Sequence, residues 1–227
     1  MRTTFIRYVV AAAFCLGSIV AAAEEMPTYK PPLRGAPGGR VGGASRSETS
    51  IASIEPLTPD SHTGLTASPS PTLYYYISRG VSLPVSLSIR APNEAKPLVA
   101  TSLTPPRAEG IYAINLATYR AQLQPNVLYT WSVSVTVDPR SPSNDVVASA
   151  TVMRTAADPS VDAAARAAAP AQRPAVYAKA GLWYEALAAA AENAGADRHA
   201  AFDALLDQVG LRDVASFDRR SPGSLGR

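Results

Sequence analysis

The chain has 227 residues, of which 47% are hydrophobic and 17% are charged, and its formal net charge at pH 7 is +3. Two of the positive charges, Arg2 and Arg7, lie in a predicted secretory signal, so the remaining chain is close to neutral. This balance excludes the strongly basic surface of a nucleic-acid-binding or anionic-membrane-binding protein. The single cysteine, Cys15, also lies in this predicted signal, so the rest of the chain has no residue for a disulfide or for thiol chemistry.

Residues 1–23 form the first predicted element, a cleavable secretory signal. Arg2 and Arg7 provide a charged start, residues 8–20 an apolar stretch, and residues 21–23 the small side chains of a cleavage site. The apolar stretch is shorter than the roughly 20 residues that a membrane-spanning helix needs. We therefore expect a periplasmic or secreted protein without a membrane span after cleavage. Retention of the signal as an anchor is the alternative.

Residues 24–50 are rich in proline, glycine and serine and predict a flexible leader. Such a segment buries too little apolar surface to offset the entropy lost on ordering. Its glycine-rich core, residues 35–43, has a phosphate-binding loop as the alternative interpretation. That interpretation lacks a preceding strand and a following Lys-Ser or Lys-Thr pair, so the leader is favoured.

Residues 51–156 predict an immunoglobulin-like or fibronectin-like antiparallel β-sandwich. In the clearest strand, residues 128–137, apolar residues alternate with Ser and Thr from Trp131 onward, so that one face packs inward. Further strands are expected at residues 73–78, 85–90, 98–103, 111–116 and 146–153. Six or seven short strands in about a hundred residues are typical of a two-sheet sandwich. The segment from Tyr129 to Trp131 also resembles the late strand of fibronectin type III domains.

Residues 157–214 predict an α-helical tail, and residues 215–227 a disordered C-terminus. Asp158 and Pro159 form a helix-start signal, because Asp caps the first turn and Pro suits the first helical position. Helices are expected over residues 171–180, 182–193 and 197–209, with their ends marked by Gly181, Gly195 and Gly210.

One spacing in the tail resembles the tetratricopeptide repeat. Tyr177, Gly181, Trp183 and Ala186 reproduce its order of aromatic residue, turn glycine, second aromatic residue and small residue. Only about one and a half such units are present, whereas a solenoid needs at least three. A peptide-binding groove and a helical hairpin that only packs on the sandwich are therefore equally supported.

The best catalytic candidate is His62, with Asp60 to orient its ring and Ser61 or Thr63 as a nucleophile. The same residues are typical of a turn before a strand, and no G-x-S-x-G elbow is present. The chain has one other histidine, His199, far away in sequence. We therefore predict that the protein is not an enzyme, and the alternative is an envelope hydrolase centred on His62.

The sequence offers one loop as a candidate metal site and several aromatic residues as a candidate sugar platform. Asp138, Asn144 and Asp145 share one loop, but proline and arginine interrupt the spacing of a calcium loop, so neither a metal nor a cofactor is expected. A carbohydrate-binding module is a further alternative, with Trp131, Trp183 and residues 74–76 as its aromatic platform. In a strand the outer two of these three tyrosines oppose the middle one, so at least one face of the strand is expected in the core.

The order of several short motifs resembles a bacterial family of exported proteins known as domain of unknown function 928. The motifs lie at residues 34–37, 40–43, 62–66, 71–76, 129–131 and 177–187. Residues 44–46 read Ala-Ser-Arg where the family tends to have Gly-Thr-Arg, a small departure. The resemblance implies an exported protein of unassigned activity.

From these observations we expect an exported protein-interaction module of the cell envelope. The candidate binding residues are His62, Tyr177, Trp183 and Tyr184. The expected partner is another envelope protein or a peptide, since an exposed sheet edge or a pair of helices can hold an extended segment.

Overall fold

The computed structural model describes residues 26–31, 38–44, 51–193, 195–221 and 225–226. The predicted secretory signal lies outside the described residues. The described part of the chain forms two mainly antiparallel β-sheets and five α-helices, which confirms the prediction of a mainly β protein with a helical region. The strands are β1 Arg40–Val41, β2 Gly43–Ala44, β3 Ser53–Pro56, β4 Gly64–Thr66, β5 Thr72–Ile77, β6 Val85–Arg90, β7 Val99–Leu103, β8 Gly110–Asn115, β9 Leu128–Val135, β10 Val146–Arg154 and β11 Leu225–Gly226. The helices are α1 Pro159–Ala167, α2 Arg173–Lys179, α3 Trp183–Glu192, α4 Gly195–Gln208 and α5 Arg212–Arg220.

The first sheet has the strand order β1-β10-β9-β6-β7, and β4 pairs in parallel with β10. The alternation in β9 places Tyr129, Trp131, Val133 and Val135 in the core, while the serines and threonines between them face outward. Because β6 and β9 keep a period of two, their inward face is apolar and their outward face carries mostly Ser and Thr side chains.

The second sheet has the strand order β11-β8-β5-β3-β2, and its strand β5 is covered on both faces. Tyr75 stacks on Tyr112 of β8, with ring centroids 5.7 Å apart. On the other face Tyr74 packs edge-on against Phe202 of α4, at 6.0 Å. Tyr74 and Tyr75 are buried, so these tyrosines do not form the exposed row that a carbohydrate platform needs.

The six predicted strands correspond to β5 through β10, with ends that differ by at most two residues. The two-residue strands β1 and β2 were not predicted, and they correct the prediction of a flexible leader for residues 38–44. β1 pairs with β10 of the first sheet, and β2 pairs with β3 of the second. The leader therefore crosses from one sheet to the other.

Glycines make this crossing possible because the chain passes very close to other backbone. A Cβ on Gly39, whose φ is +154°, would lie 2.0 Å from the carbonyl oxygen of Asp60. A Cβ on Gly43 would lie 2.5 Å from the carbonyl oxygen of Val147 in β10. The glycine-rich composition is thus a steric requirement of close packing, and the phosphate-loop alternative is not needed to explain it.

The helical region begins as predicted, because the Asp158 side chain accepts a hydrogen bond from the Ser160 backbone N–H (2.8 Å) with proline at the first helical position. Gly181 and Gly210 have left-handed φ values of +74° and +76° and follow α2 and α4. Gly195, predicted to mark a helix end, instead begins α4.

The helical region also extends further than predicted. The prediction placed residues 215–227 in a disordered terminus, but α5 runs to Arg220 and buries Phe217 and Asp218. The tail thus contains α1 and α5 in addition to the three expected helices. α5 is held by the burial of these side chains, and its few apolar residues were too short a pattern to predict a helix.

Candidate binding site between the sheets and the helices

Trp183 and Tyr184, two of the predicted binding residues, join the helices to the first sheet. The Tyr184 hydroxyl accepts a hydrogen bond from the indole N–H of Trp131 (3.2 Å) and donates one to the carbonyl oxygen of Thr151 (3.1 Å). The indole N–H of Trp183 donates to the carbonyl oxygen of Leu57 (2.9 Å). Both rings are fully buried, and burial raises the pKa of the Tyr184 hydroxyl. Their polar atoms are used within the protein, and neither ring is exposed at the surface of this structure, as a partner contact at these residues had been expected to require.

The motif at residues 62–66 is explained by the same junction. A Cβ on Gly64 in β4 would lie 2.9 Å from the Tyr184 ring, so only glycine allows α3 to pack this closely on the sheet. One carboxylate oxygen of Glu185 accepts hydrogen bonds from the Thr66 hydroxyl (2.6 Å) and from two backbone N–H groups of the following loop. The motif therefore fixes the start of α3 against β4.

Tyr177, the third predicted binding residue, lies on α2 with a half-buried ring. Burial raises the pKa of its hydroxyl, and the nearby negative charge of Glu185 raises it further. The structure therefore places Tyr177 beside Glu185.

His62, the fourth predicted binding residue, has a partner at each ring nitrogen. Its Nδ1 lies 3.2 Å from the Ser61 hydroxyl, and its Nε2 lies 3.0 Å from the Tyr29 hydroxyl. Burial lowers the pKa of the imidazole, and the negative charge of Asp60 offsets part of that shift. Asp60 acts through its charge, since no hydrogen bond joins it to His62 among the described residues. The candidate Asp-His-Ser relay is therefore not assembled, because the carboxylate does not orient the ring.

Residues 26–31 form a docked segment that sequence reasoning missed, since they lie in the predicted flexible leader. Tyr29 is 7% exposed and stacks on His62 with its ring centroid 5.7 Å away, while its edge faces the Trp183 ring at 5.1 Å. The Tyr29 backbone N–H donates to Oε1 of Gln208 (2.8 Å), and Nε2 of Gln208 donates to the carbonyl oxygen of Pro27 (2.8 Å). The signal that could have revealed the docking is the alternation of Pro27 and Tyr29 with polar neighbours.

An open cleft of ≈ 630 Å³, the junction cleft, lies between the second sheet and the turn from α4 to α5. Its charged walls carry both signs. Its lining residues are Arg40, Ser53, Glu55, Tyr76, Asp207, Gln208, Gly210, Leu211, Arg212, Asp213 and Val214. Sequence reasoning did not find the cleft, because its walls come from five elements distant in the chain.

Arg40 holds one wall of the junction cleft in place. Its guanidinium donates to Oε1 of Glu55 (2.5 Å) and to the carbonyl oxygens of Thr58 (2.7 Å) and Val209 (2.8 Å). The last contact satisfies a carbonyl group at the end of α4, where the helix supplies no partner. Arg212 and Asp213, on the first turn of α5, are instead exposed at the cleft.

The second histidine, His199, belongs to an ion-pair cluster between α4 and α5. Its Nδ1 lies 2.7 Å from the fully buried carboxylate of Asp218, and its Nε2 lies 2.8 Å from the Arg198 guanidinium. The same arginine nitrogen also lies 2.9 Å from Nδ1, so His199 is enclosed between the Arg198 guanidinium and the Asp218 carboxylate.

Asp203 lies in the same cluster and is 3% exposed. Burial raises the pKa of its carboxyl group to about 6, and the charge of Asp218 adds to the effect. Its Oδ2 lies 3.6 Å from Arg219, and its Oδ1 has no hydrogen-bond partner among the described residues.

The described residues contain no group of three or more His, Cys, Asp or Glu side chains placed to hold a metal ion. None of the helices in the described ranges has the length and apolar character of a membrane-spanning segment. Asp138 accepts a hydrogen bond from the backbone N–H of Arg140 (2.9 Å), and Asp145 accepts one from that of Val137 (3.1 Å). These two carboxylates therefore stabilise the turn between β9 and β10.

Comparisons with curated proteins and with solved structures give no match to this chain. The family model described as Domain of Unknown Function (DUF928) matches residues 41–218, a range that includes most of both sheets and nearly all of the helical region. The match also covers Glu55, Arg212 and Asp213 of the junction cleft, together with His62, Trp183 and Gln208. The chain belongs to the DUF928 family.

Proposed function

We propose that this protein is an exported, non-catalytic interaction module of the cell envelope, and that it binds another envelope protein or a peptide in the junction cleft. The observation that carries the proposal is the cleft itself. Its volume of ≈ 630 Å³ lies within the range of about 300–1,000 Å³ typical of ligand sites. Arg212 and Asp213 are exposed at its edge and can form ion pairs with a partner.

The arrangement of the two histidines favours binding over catalysis. Acyl-transfer and hydrolytic sites need a base whose free nitrogen faces a nucleophile and whose other nitrogen is oriented by a third group. His62 contacts two hydroxyl groups and no carboxylate, while His199 contacts a carboxylate and an arginine. Neither histidine therefore supports the hydrolase alternative.

The finer architecture belongs to the same proposal. We infer an immunoglobulin-like sandwich and a tetratricopeptide-like pair formed by α2 and α3. The sandwich is supported by the two mainly antiparallel sheets. The helical pair is supported by the left-handed turn at Gly181 and by the complete burial of Ala178 and Ala186, whose small side chains let the helices approach closely.

The proposal is tested by capture of envelope proteins on the immobilised full mature chain. The test variant combines Arg212→Ala with Asp213→Ala, which removes both exposed charges of the cleft and leaves the net charge unchanged. The matched control combines Arg140→Ala with Asp138→Ala, an exposed pair in the turn before β10 with N and O atoms 3.6 Å apart. We expect a partner that binds directly to purified protein, with an affinity at least tenfold weaker for the cleft variant and unchanged for the control.

Two results would contradict the proposal. Equal affinity of the partner for the cleft variant and the wild type would exclude the junction cleft as the binding site. A hydrolytic activity that falls a thousandfold in His62→Ala would show that the protein is an enzyme.

A further inference from the structure

We propose a second binding site, the Tyr29 groove, which recognises an extended peptide with a proline two residues before a tyrosine. The groove is formed by His62, Ala178, Trp183 and Gln208. In the structure it is filled by the chain's own residues 27–30, which act as an intramolecular copy of the ligand. The inference is independent of the proposed function, because it rests on this docked segment and not on the open cleft.

The groove binds the main chain of the segment without regard to its side chains. The Gln208 amide uses both of its ends, accepting from the Tyr29 N–H and donating to the Pro27 carbonyl oxygen. The Lys30 N–H donates to the carbonyl oxygen of Ala178 at the end of α2 (3.0 Å). Three main-chain hydrogen bonds thus hold four residues, as in proteins that bind extended peptides.

Specificity comes from the alternate side chains. Pro27 and Tyr29 are buried, whereas Thr28 and Lys30 are exposed, as in an extended segment lying on a surface. The Tyr29 ring lies against the His62 and Trp183 rings. Its hydroxyl, which burial keeps protonated by raising its pKa, lies 3.0 Å from Nε2 of His62. The pocket therefore distinguishes tyrosine from phenylalanine by one hydrogen bond.

The occupant we assign is a segment of a partner protein. A tethered segment has an effective concentration in the millimolar range, so it outcompetes the same segment on a second copy at micromolar concentration. A partner must therefore bind more tightly than residues 27–30 to displace them. Displacement leaves the groove contacts satisfied, because the incoming main chain supplies the same N–H and carbonyl groups.

The probe is a fluorescent peptide with the sequence of residues 24–31, titrated by anisotropy into the full mature chain. In the Tyr29→Ala variant the chain's own segment no longer fills the pocket, so we expect this variant to bind the peptide at least tenfold more tightly than the wild type. A second substitution, Gln208→Ala, is expected to abolish that gain. Thr28→Ala changes an exposed side chain of the same segment and is the matched control, with affinity equal to the wild type.

A second measurement does not depend on the folding of any variant. Excess unlabelled peptide added to the wild-type chain is expected to increase hydrogen exchange at the Tyr29 and Lys30 amides, because it displaces the segment. A peptide with phenylalanine in place of tyrosine is expected to bind roughly threefold to tenfold more weakly, the value of one hydrogen bond.

The inference is overturned if exchange at these amides is unaffected by peptide at millimolar concentration. It is also overturned if Tyr29→Ala folds and gains no affinity. A concentration-dependent dimer of the wild type, with Tyr29 docked between two copies, would show instead that the groove serves self-association. Since the cleft variant of Arg212 and Asp213 leaves the groove intact, failure of this inference and failure of the proposed function are distinguishable.

Discussion

The two histidines occupy contrasting environments. His62 lies where residues 26–31 dock on the rest of the protein, and His199 lies in the ion-pair cluster between α4 and α5. His62 is held by the hydroxyl groups of Ser61 and Tyr29, and burial lowers its pKa. His199 is held between the charges of Asp218 and Arg198. The comparison teaches that a histidine close to polar groups is not by itself a catalytic residue. His62 stacks on the docked Tyr29 ring, and His199 bridges the charged side chains of Asp218 and Arg198.

The largest expected effect lies in the cluster. Asp218→Ala leaves Arg198 buried without its counter-ion, so we expect a loss of about 4 kcal/mol in the free energy of unfolding. Denaturant titration measures this loss. Asp213→Ala, at an exposed site on the same helix, is the control and is expected to cost about 0.5 kcal/mol. A loss below about 1 kcal/mol for Asp218→Ala would show that the cluster does not stabilise the packing of α5 on α4.

Trp183, whose ring also contacts Tyr29, is expected to contribute more to stability than the His62 imidazole. Trp183→Ala leaves a large cavity between α3 and the sheets and removes the hydrogen bond to Leu57, for an expected cost of about 3 kcal/mol or more. Thermal unfolding measures the effect. Trp183→Phe retains most of the apolar contact and is expected to lose about 1 to 2 kcal/mol. Unchanged unfolding of the alanine variant would contradict the burial of this ring.

Acidification is expected to increase the contribution of Asp203 to stability and to decrease that of His62, because burial raises the pKa of the first and lowers the pKa of the second. The pKa of Asp203 is raised to about 6, so the folded state takes up a proton more readily than the unfolded state. Its contribution to stability is therefore fully present below its ordinary pKa of 3.8 and is lost as the pH rises through 6. Asp203→Asn is expected to remove this dependence. The free energy of unfolding of both proteins is measured between pH 4 and 7, and the variant should show a smaller gain in stability on acidification than the wild type. The same pH profile for both would contradict the raised pKa of Asp203.

The smallest effect is expected for His62→Ala, at about 1 kcal/mol or less, because it removes one neutral hydrogen bond to the Tyr29 hydroxyl and a solvent-exposed one to the Ser61 hydroxyl. The lowered pKa of His62 means that the unfolded state takes up the proton first as the pH falls below 6.5. Its contribution to stability is present above that pH and is lost on acidification. The variant should therefore lose less stability than the wild type between pH 7 and 5. A steeper loss would show that His62 is stabilised in its charged form.

The parts of the fold that were predicted are those in which one strand or helix carries its own pattern. The alternation in β9 and the cap at Asp158 depend on neighbours in sequence, and both are confirmed. The strands β1 and β2 could not be predicted, since two residues contain no period and their pairing is set by β10 and β3.

The candidate site was less accessible to sequence reasoning. His62, Trp183 and Tyr184 were predicted as binding residues, whereas the burial of Trp183 and Tyr184 between the helices and the sheets depends on long-range packing that the sequence pattern does not contain. The docking of Tyr29 was missed because its partner, Gln208, lies 179 residues further along the chain. The partnership of Asp218 with His199 was missed because residues 215–227 were predicted to be disordered, and spacing alone does not show which side of α5 meets α4.

The crossing of residues 38–44 between the two sheets has a consequence for how the chain folds. β1 pairs with β10, and β10 is the last long strand to be synthesised. During synthesis β2 can pair with β3 soon after both have emerged, whereas β1 has no strand to pair with until β10, about two thirds of the way along the chain, has been made. β1 is therefore synthesised early and pairs late. Because contacts between residues distant in the chain form slowly, the pairing of β1 with β10 is expected to be a late step of folding.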